Sequence, residues 1–249
     1  MRTNRHHSNA KGVRPTMATP ILHPDNVKDG AGPGLTYRIE GTLVPSLHIH
    51  LDGQMGVFFE HHVILWKQPS IDIDVMKLGK SFTRAISGLN VFMTRAEGTG
   101  DIAFSRDTPG QVFALQLAPG EKTYVREHQF LAATENTEYG FERVKGVASM
   151  MVGNQGFFID HFTGGAEGSI VWLHAYGNAY DIVLADGETI DVEPGAWISR
   201  DPTVTYEQKL IGHKAGILGG GGNLIFNRFR GPGRVGLQSG FFAVSDEKK

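Results

Sequence analysis

The sequence predicts an all-β fold: a closed barrel of short antiparallel strands around a pseudo-threefold axis, made of three repeats of about 67 residues. Three observations lead there. Apolar and polar residues alternate with a period of two in several short stretches, no long amphipathic helix is legible, and a glycine turn returns at a fixed offset.

The alternation is plainest where Leu47, Ile49 and Leu51 interleave with His48, His50 and Asp52 ahead of Gly53, which marks a strand with one buried face. Further on, Val112, Ala114 and Leu117 precede a Pro119-Gly120 turn, and Thr123 and Val125 follow it. Ile182 and Leu184 then precede Asp186-Gly187, a hairpin signal, with Ile190 and Val192 beyond. The best helical candidate is a short one around Val75 to Ser81.

The two turns are copies of one pattern. Leu117-Ala118-Pro119-Gly120-Glu121 matches Leu184-Ala185-Asp186-Gly187-Glu188 at an offset of 67, which also pairs Val125 with Val192, Phe130 with Trp197 and Tyr139 with Tyr206. A fainter copy pairs Gly53 with Gly120, Phe58 with Val125, Glu60 with Glu127 and Val63 with Phe130. A second motif, Gly100-Asp101-Ile102-Ala103-Phe104, matches Gly168-Ser169-Ile170-Val171-Trp172 and, more loosely, Gly233-Arg234-Val235-Gly236-Leu237. Closing three such units around an axis would remove most free strand edges.

Composition sets the outer bounds. The chain has 249 residues, a formal net charge of −2 and no cysteine, so disulfides, thiol nucleophiles and cysteine-based metal sites are excluded. The 33 glycines, about 13% of the chain against a usual ~7%, fit a protein of many tight turns. A weakly negative balance argues against a broad nucleic-acid surface. The expected organisation is a disordered or mobile N-terminal segment over 1–33, a single β-rich domain over 34–245 and a frayed tail over 246–249. Arg2, Arg5, Lys11 and Arg14 precede the first acid, Asp25, without an apolar run behind them. That pattern reads as a tail, a start at Met17, or a mitochondrial transit peptide weakened by Gly12 and Pro15. The expected location is cytoplasmic, or mitochondrial if the basic N-terminus is a transit peptide. No stretch approaches 18 consecutive apolar residues, so no transmembrane segment is expected.

The stretch Gly219-Gly220-Gly221-Gly222-Asn223-Leu224-Ile225-Phe226, followed by Gly231-Pro232-Gly233-Arg234-Val235-Gly236-Leu237-Gln238-Ser239, is similar to the signature of one family. So is the setting of Glu193-Pro194-Gly195-Ala196 within the repeat. The chain resembles, from about Thr36 to Val244, the "altered inheritance of mitochondria" family of fungal and prokaryotic proteins. The resemblance implies pseudo-threefold double-stranded β-helix units, a fold similar to the subunit of the tryptophan RNA-binding attenuation protein, and a link to mitochondrial organisation. It brings no active site, and likeness of fold to an RNA-binding ring does not carry its function across.

His48 and His50 share a strand face, and with His128 or His161 they are the candidates for a metal held by histidine. Their spacing from Glu60 does not suit the common metal-barrel pattern, so surface or interface roles are the expected ones. Glu60, Glu127 and Glu193 recur after the second strand of each unit, as a repeated salt bridge or turn hydrogen bond would. The run Gly219 to Gly222, near His213 and Lys214, lacks the dinucleotide and Walker patterns. No Gly-x-Ser-x-Gly motif is present. Lys209, Lys214, Arg228, Arg230 and Arg234, with Phe226 and Phe229 as stacking platforms, form the alternative RNA-binding surface. Trp66, Trp172 and Trp197 and the pairs Phe58-Phe59, Phe157-Phe158 and Phe241-Phe242 are expected to serve the core, with some at an oligomer interface.

The resulting expectation is a non-enzymatic binding or scaffolding protein, a homo-oligomer with an unidentified protein partner and without a nucleic-acid partner. No catalytic, cofactor-binding or metal residue is assigned and no cofactor is expected. A metal-dependent β-barrel enzyme and an RNA binder are the alternatives.

Overall fold

The computed structural model describes residues 21–23, 29–76, 93–144, 157–211 and 224–240. The described residues are all-β apart from one short 3-10 turn at His61–Val63. Its strands are β1 (Ile21–Leu22), β2 (Asp29–Gly32), β3 (Leu35–Glu40), β4 (Ser46–Asp52), β5 (Val57–Glu60), β6 (Ile64–Lys67), β7 (Ile71–Val75) and β8 (Met93–Phe104) in the first part. β9 (Gly110–Leu117), β10 (Lys122–Arg126), β11 (Phe130–Thr134), β12 (Glu138–Val144), β13 (Phe157–Thr163) and β14 (Ser169–Tyr176) follow. β15 (Ala179–Leu184), β16 (Thr189–Val192), β17 (Trp197–Arg200), β18 (Thr205–Ile211), β19 (Leu224–Arg230) and β20 (Gly233–Gln238) complete the chain.

The strands divide into a ten-stranded, a seven-stranded and a three-stranded sheet, every pairing antiparallel. The expectation of a closed, pseudo-threefold barrel is overturned here. The large sheet runs β2-β3-β4-β8-β5-β11-β14-β9, with β6 and β7 also on β8, and its end strands β2 and β9 are not paired to each other. It is a curled, open half-barrel. Nor are the three parts equivalent: where the second and third have two strands each, β13 with β14 and β19 with β20, the first has the single strand β8 of 12 residues.

The offset of 67 reflects a corner built twice. In each copy the glycine has positive φ, 74° at both Gly120 and Gly187, a conformation that side chains with a Cβ rarely adopt. In each, the following glutamate reaches back to a backbone N–H, Glu121 to Ala118 at 2.9 Å and Glu188 to Ala185 at 2.8 Å. Neither corner is the hairpin expected from Asp186-Gly187. β9 pairs with β14 while β10 pairs with β13 and β17, and β15 pairs with β20 while β16 pairs with β19. Each turn carries the chain from one sheet into the next, because its open hydrogen bonds go to a second bend running alongside. Gly120 donates to Gly164 and Gly164 to Glu121; Gly231 donates to Glu188. The first part turns differently, with Asp52 Oδ1 accepting from Gln54 N–H.

Alternation performs as expected in β4, where Leu47, Ile49 and Leu51 are buried and His50 is exposed. β5 departs from it: all four residues are buried. Phe59 packs in a core with Leu47, Ile49 and Trp172, whereas Phe58 faces a second core with Phe130, Phe162 and Leu173. The consecutive pair thus serves both sides of a strand covered on both faces. A third core gathers Trp197, Phe229 and Val235. Val75 closes a strand where a short helix was expected; residues 77–81 of that expectation, Phe241-Phe242 and the run Gly219 to Gly222 lie outside the described residues.

Candidate functional site

Two regions carry most of the polar chemistry that the fold brings together. One is buried. Arg106 follows β8 and donates from one guanidinium nitrogen to Glu60 Oε2 at 2.9 Å and to the Phe130 carbonyl at 2.7 Å. Its other nitrogen lies 3.2 Å from His62 Nε2, and His62 lies 3.2 Å from Glu60. Burial pushes the His62 pKa down, against the pull of Glu60. Nearby, Tyr139 donates its hydroxyl to Asp160 Oδ1 at 2.9 Å across the β12–β13 pair. Burial raises the Asp160 pKa to about 8; the Tyr139 hydrogen bond opposes the shift, while the charges of Glu60 and Glu127 add to it. Burial likewise raises the Tyr139 pKa. Two carboxyl groups, one guanidinium and a phenol therefore share a low-dielectric interior, with Glu127 and His62 at its more exposed edge.

The other region is the outward face of β3, β4 and β8. Register places Thr36, His50 and Asp101 side by side across these strands, and Arg38, His48 and Ala103 in the next matching row. The row lines a shallow groove of about 670 Å3. His50 Nδ1 is 2.8 Å from Asp101 Oδ1, and His48 Nε2 is 2.9 Å from Ser46 Oγ. A hydroxyl, an imidazole and a carboxylate in a row invite a hydrolytic reading. The face is open to water and its backbone N–H groups are committed to the sheet ladders, which leaves no arranged donors for an oxyanion.

The histidines proposed as metal ligands are held apart. His48 and His50 occupy the groove, His128 sits at positive φ (69°) beside Glu127 at 3.8 Å, and His161 packs edge-on against Tyr124. Among the described residues no three His, Asp or Glu side chains converge as ligands. The glutamates play different parts: Glu60 is the buried ion-pair partner, Glu127 accepts from the Phe158 N–H at 3.4 Å and Glu193 accepts from the Gly195 N–H. In the basic C-terminal cluster Phe229 is fully buried and unavailable for stacking. Arg228 makes a two-pronged pair with Asp191, 2.6 Å on each prong, and Arg234 lies 3.8 Å from Asp201; Lys214 is outside the described residues.

Exposed apolar side chains went unread in the sequence as a group. Among the described residues nine large hydrophobics are exposed, and six of them, Leu43, Val44, Leu65, Trp66, Ile73 and Val75, belong to the β3–β4 turn and to β6 and β7. Trp172 and Trp197 are buried, so Trp66 at 45% exposure is the one tryptophan facing outward. Its isolated position after a Val-Ile-Leu run was the available signal.

A family model described as mitochondrial biogenesis AIM24 matches residues 37–240. The chain belongs to the AIM24 family. This AIM24 chain is 31% identical over 233 residues to a protein of Streptococcus pyogenes serotype M6 described as uncharacterized, a match covering 88% of this chain and 91% of that one. In three dimensions the AIM24 chain is similar to a crystal structure of a Streptococcus pyogenes protein, with a TM-score of 0.65, 22% identity, and 83% of this chain and 94% of the other covered. At that identity the likeness concerns the fold. Among the described residues of the AIM24 chain no helix is long and apolar enough to cross a membrane.

Proposed function

We propose that the protein is a binding and scaffolding module, not an enzyme, and that it works as a homo-oligomer. The observation that carries this reading is the apolar rim formed by Leu43, Val44, Leu65 and Trp66. The β3–β4 turn and the start of β6 flank Ser105, whose hydroxyl donates to the Pro45 carbonyl and whose N–H donates to the Val63 carbonyl. Leu65 is turned out by a bulge in the β6–β8 register. Exposed apolar side chains grouped around one corner of the fold are what symmetric copies bury. The bulge blunts strand-to-strand continuation, so the contact is one of side-chain packing.

The N-terminal basic segment is proposed as a tail and residues 34–245 as the working domain, in the cytoplasm, or in the mitochondrion if that segment is a transit peptide. An unidentified protein partner completes the reading. The test is the native mass of the full chain over a dilution series, wild type against Leu65→Lys. A discrete oligomer that Leu65→Lys converts to monomer supports the proposal; a monomer at all concentrations overturns the oligomer.

A further inference from the structure

β7 is a different kind of edge from β6. Its five residues hold unbroken register with β8, from Ile71 opposite Gly98 to Val75 opposite Thr94, and among the described residues its outer edge is unpaired. Four of the five residues are exposed. A straight, regular edge with free backbone donors and acceptors is a template for one more strand.

The side chains say which strand. Register puts Asp72 beside Glu97 and Asp74 beside Arg95, and Arg95 lies beside Phe58 of β5. On this face Arg95 is bonded to Glu97 at 2.6 Å and to Glu135 at 2.7 Å. Two carboxylates thus hold this guanidinium, and two more, Asp72 and Asp74, share its strand face without an ion-pair partner among the described residues. Beside them opens a pocket of about 390 Å3 with Met55, Phe58 and Met76 as its apolar lining and Arg95, Glu135 and Asn136 as its polar members. An aliphatic stem fits such a floor while its cationic head reaches the acids. On the opposite face of β7, Ile73 and Val75 are exposed.

We propose that β7 is a docking edge for an extended segment of a partner protein in which Lys or Arg alternates with Val or Ile. Strand addition places alternate side chains on opposite faces. The basic ones then meet Asp72, Asp74, Glu97 and Glu135 and enter the methionine-lined pocket; the apolar ones cover Ile73 and Val75. A second copy of the chain is the wrong occupant, because antiparallel self-pairing of β7 about Ile73 sets Asp72 of one copy against Asp74 of the other. The proposal names the partner's chemistry and stands on its own surface, separate from the Leu65–Trp66 rim.

The experiment titrates the full chain into a fluorescently labelled peptide, acetyl-Lys-Val-Arg-Val-Lys-Val-amide, and reads anisotropy. Saturable binding is expected, at least tenfold weaker for a peptide of the same composition in blocks, Lys-Arg-Lys-Val-Val-Val. Asp74→Lys, or the milder Asp74→Asn, should also weaken it, tenfold or more for the lysine, with an unchanged circular dichroism spectrum and melting temperature. Methylating the peptide's backbone nitrogens that face β7 should abolish it. No saturable binding up to millimolar peptide, or equal binding of the block peptide, overturns the proposal. So does an Asp74→Lys variant that binds as well as wild type, or one whose native mass changes. A monomeric wild type that binds the peptide would remove the oligomer reading and leave this one intact.

Discussion

Arg106 and Glu60, 46 residues apart, form an ion pair at 2.9 Å with side chains only 8% and 10% exposed. The pair ties the segment after β8 to the end of β5, and the bond from Arg106 to Phe130 brings in the start of β11. Removing one partner leaves the other charged and buried, so Arg106→Met is expected to cost about 3–5 kcal/mol. The double change Arg106→Met with Glu60→Gln should recover more than half of that loss. Denaturant unfolding of the single and double variants checks it; additive losses would show that the two side chains do not act as a pair.

Asp160 supplies a pH dependence of definite sign. Its folded pKa of about 8 exceeds the ordinary aspartate value of 3.8, so the native state holds a proton that the unfolded chain has released. Its contribution to stability is therefore full at acid pH, falls as pH rises from about 4, and levels off above about 8. Asp160→Asn keeps the neutral shape without the titration. Melting temperatures of this variant and wild type should converge below about pH 4 and separate steadily toward pH 8, where the variant is the higher, at roughly 2–4 °C for each kcal/mol in a chain of this size.

His174 contributes in the opposite direction, offsetting Asp160 between about pH 4 and 6.5, so its effect is read as the difference between wild type and variant. Burial, helped by the charge of Arg106, lowers its pKa to about 4 from 6.5, against the Thr108 carbonyl hydrogen bond. The unfolded chain takes up the proton first as pH falls, so stability should rise with pH between about 4 and 6.5. In His174→Gln that acid limb should flatten. A limb unchanged in the variant would assign acid sensitivity to other groups.

Gly120 and Gly110 should resist alanine for different reasons. A Cβ on Gly120 meets nothing within 4 Å, but φ is +74°, so Gly120→Ala should cost about 1–2 kcal/mol from backbone conformation alone. Asn, which accepts that conformation, should cost less. A Cβ on Gly110 meets the Ala175 carbonyl oxygen and the His174 ring, and its cost should exceed that of Gly120→Ala because rigid strand backbone must move. Equal losses at the two sites would contradict this division.

Iodide quenching isolates Trp66. With Trp172 and Trp197 at 0% and 3% exposure, the quenchable part of the emission belongs to Trp66 and should vanish in Trp66→Phe. If the rim is an interface, quenching should also diminish as protein concentration rises through the association range.

Strand positions were legible wherever one face meets water. Leu47, Ile49 and Leu51 announced β4, and the residues around Pro119-Gly120 and Asp186-Gly187 announced β9, β10, β15 and β16, because burial on one side writes a period of two. Pairing was not legible. A turn residue reports local backbone conformation, and Gly187 bends equally well for a hairpin or for a corner whose hydrogen bonds go to Gly231. The closed barrel failed for the same reason: recurring corners do not state whether the last strand finds the first. The buried ionic centre was half visible. Glu60 stood out by its recurrence, whereas Arg106 and Asp160 come from sites remote in the chain and are joined only by the sheet. The apolar rim escaped because single exposed hydrophobics carry no pattern, and only the fold places Leu43 and Trp66 on the same part of the molecule.

Strand β8 pairs with β4, β5, β6 and β7, all of which precede it in the chain. On the ribosome those four strands emerge before the strand that joins them. β5 then waits for β11, β11 for β14, and β1, at Ile21–Leu22, for β15 at Tyr180–Asp181. At roughly 5–20 residues per second, the N-terminal strand spends several seconds to half a minute without its partner. The part of the protein that is made first is fastened late, which makes the nascent chain, rather than the finished one, the form most exposed to proteases and most dependent on chaperones.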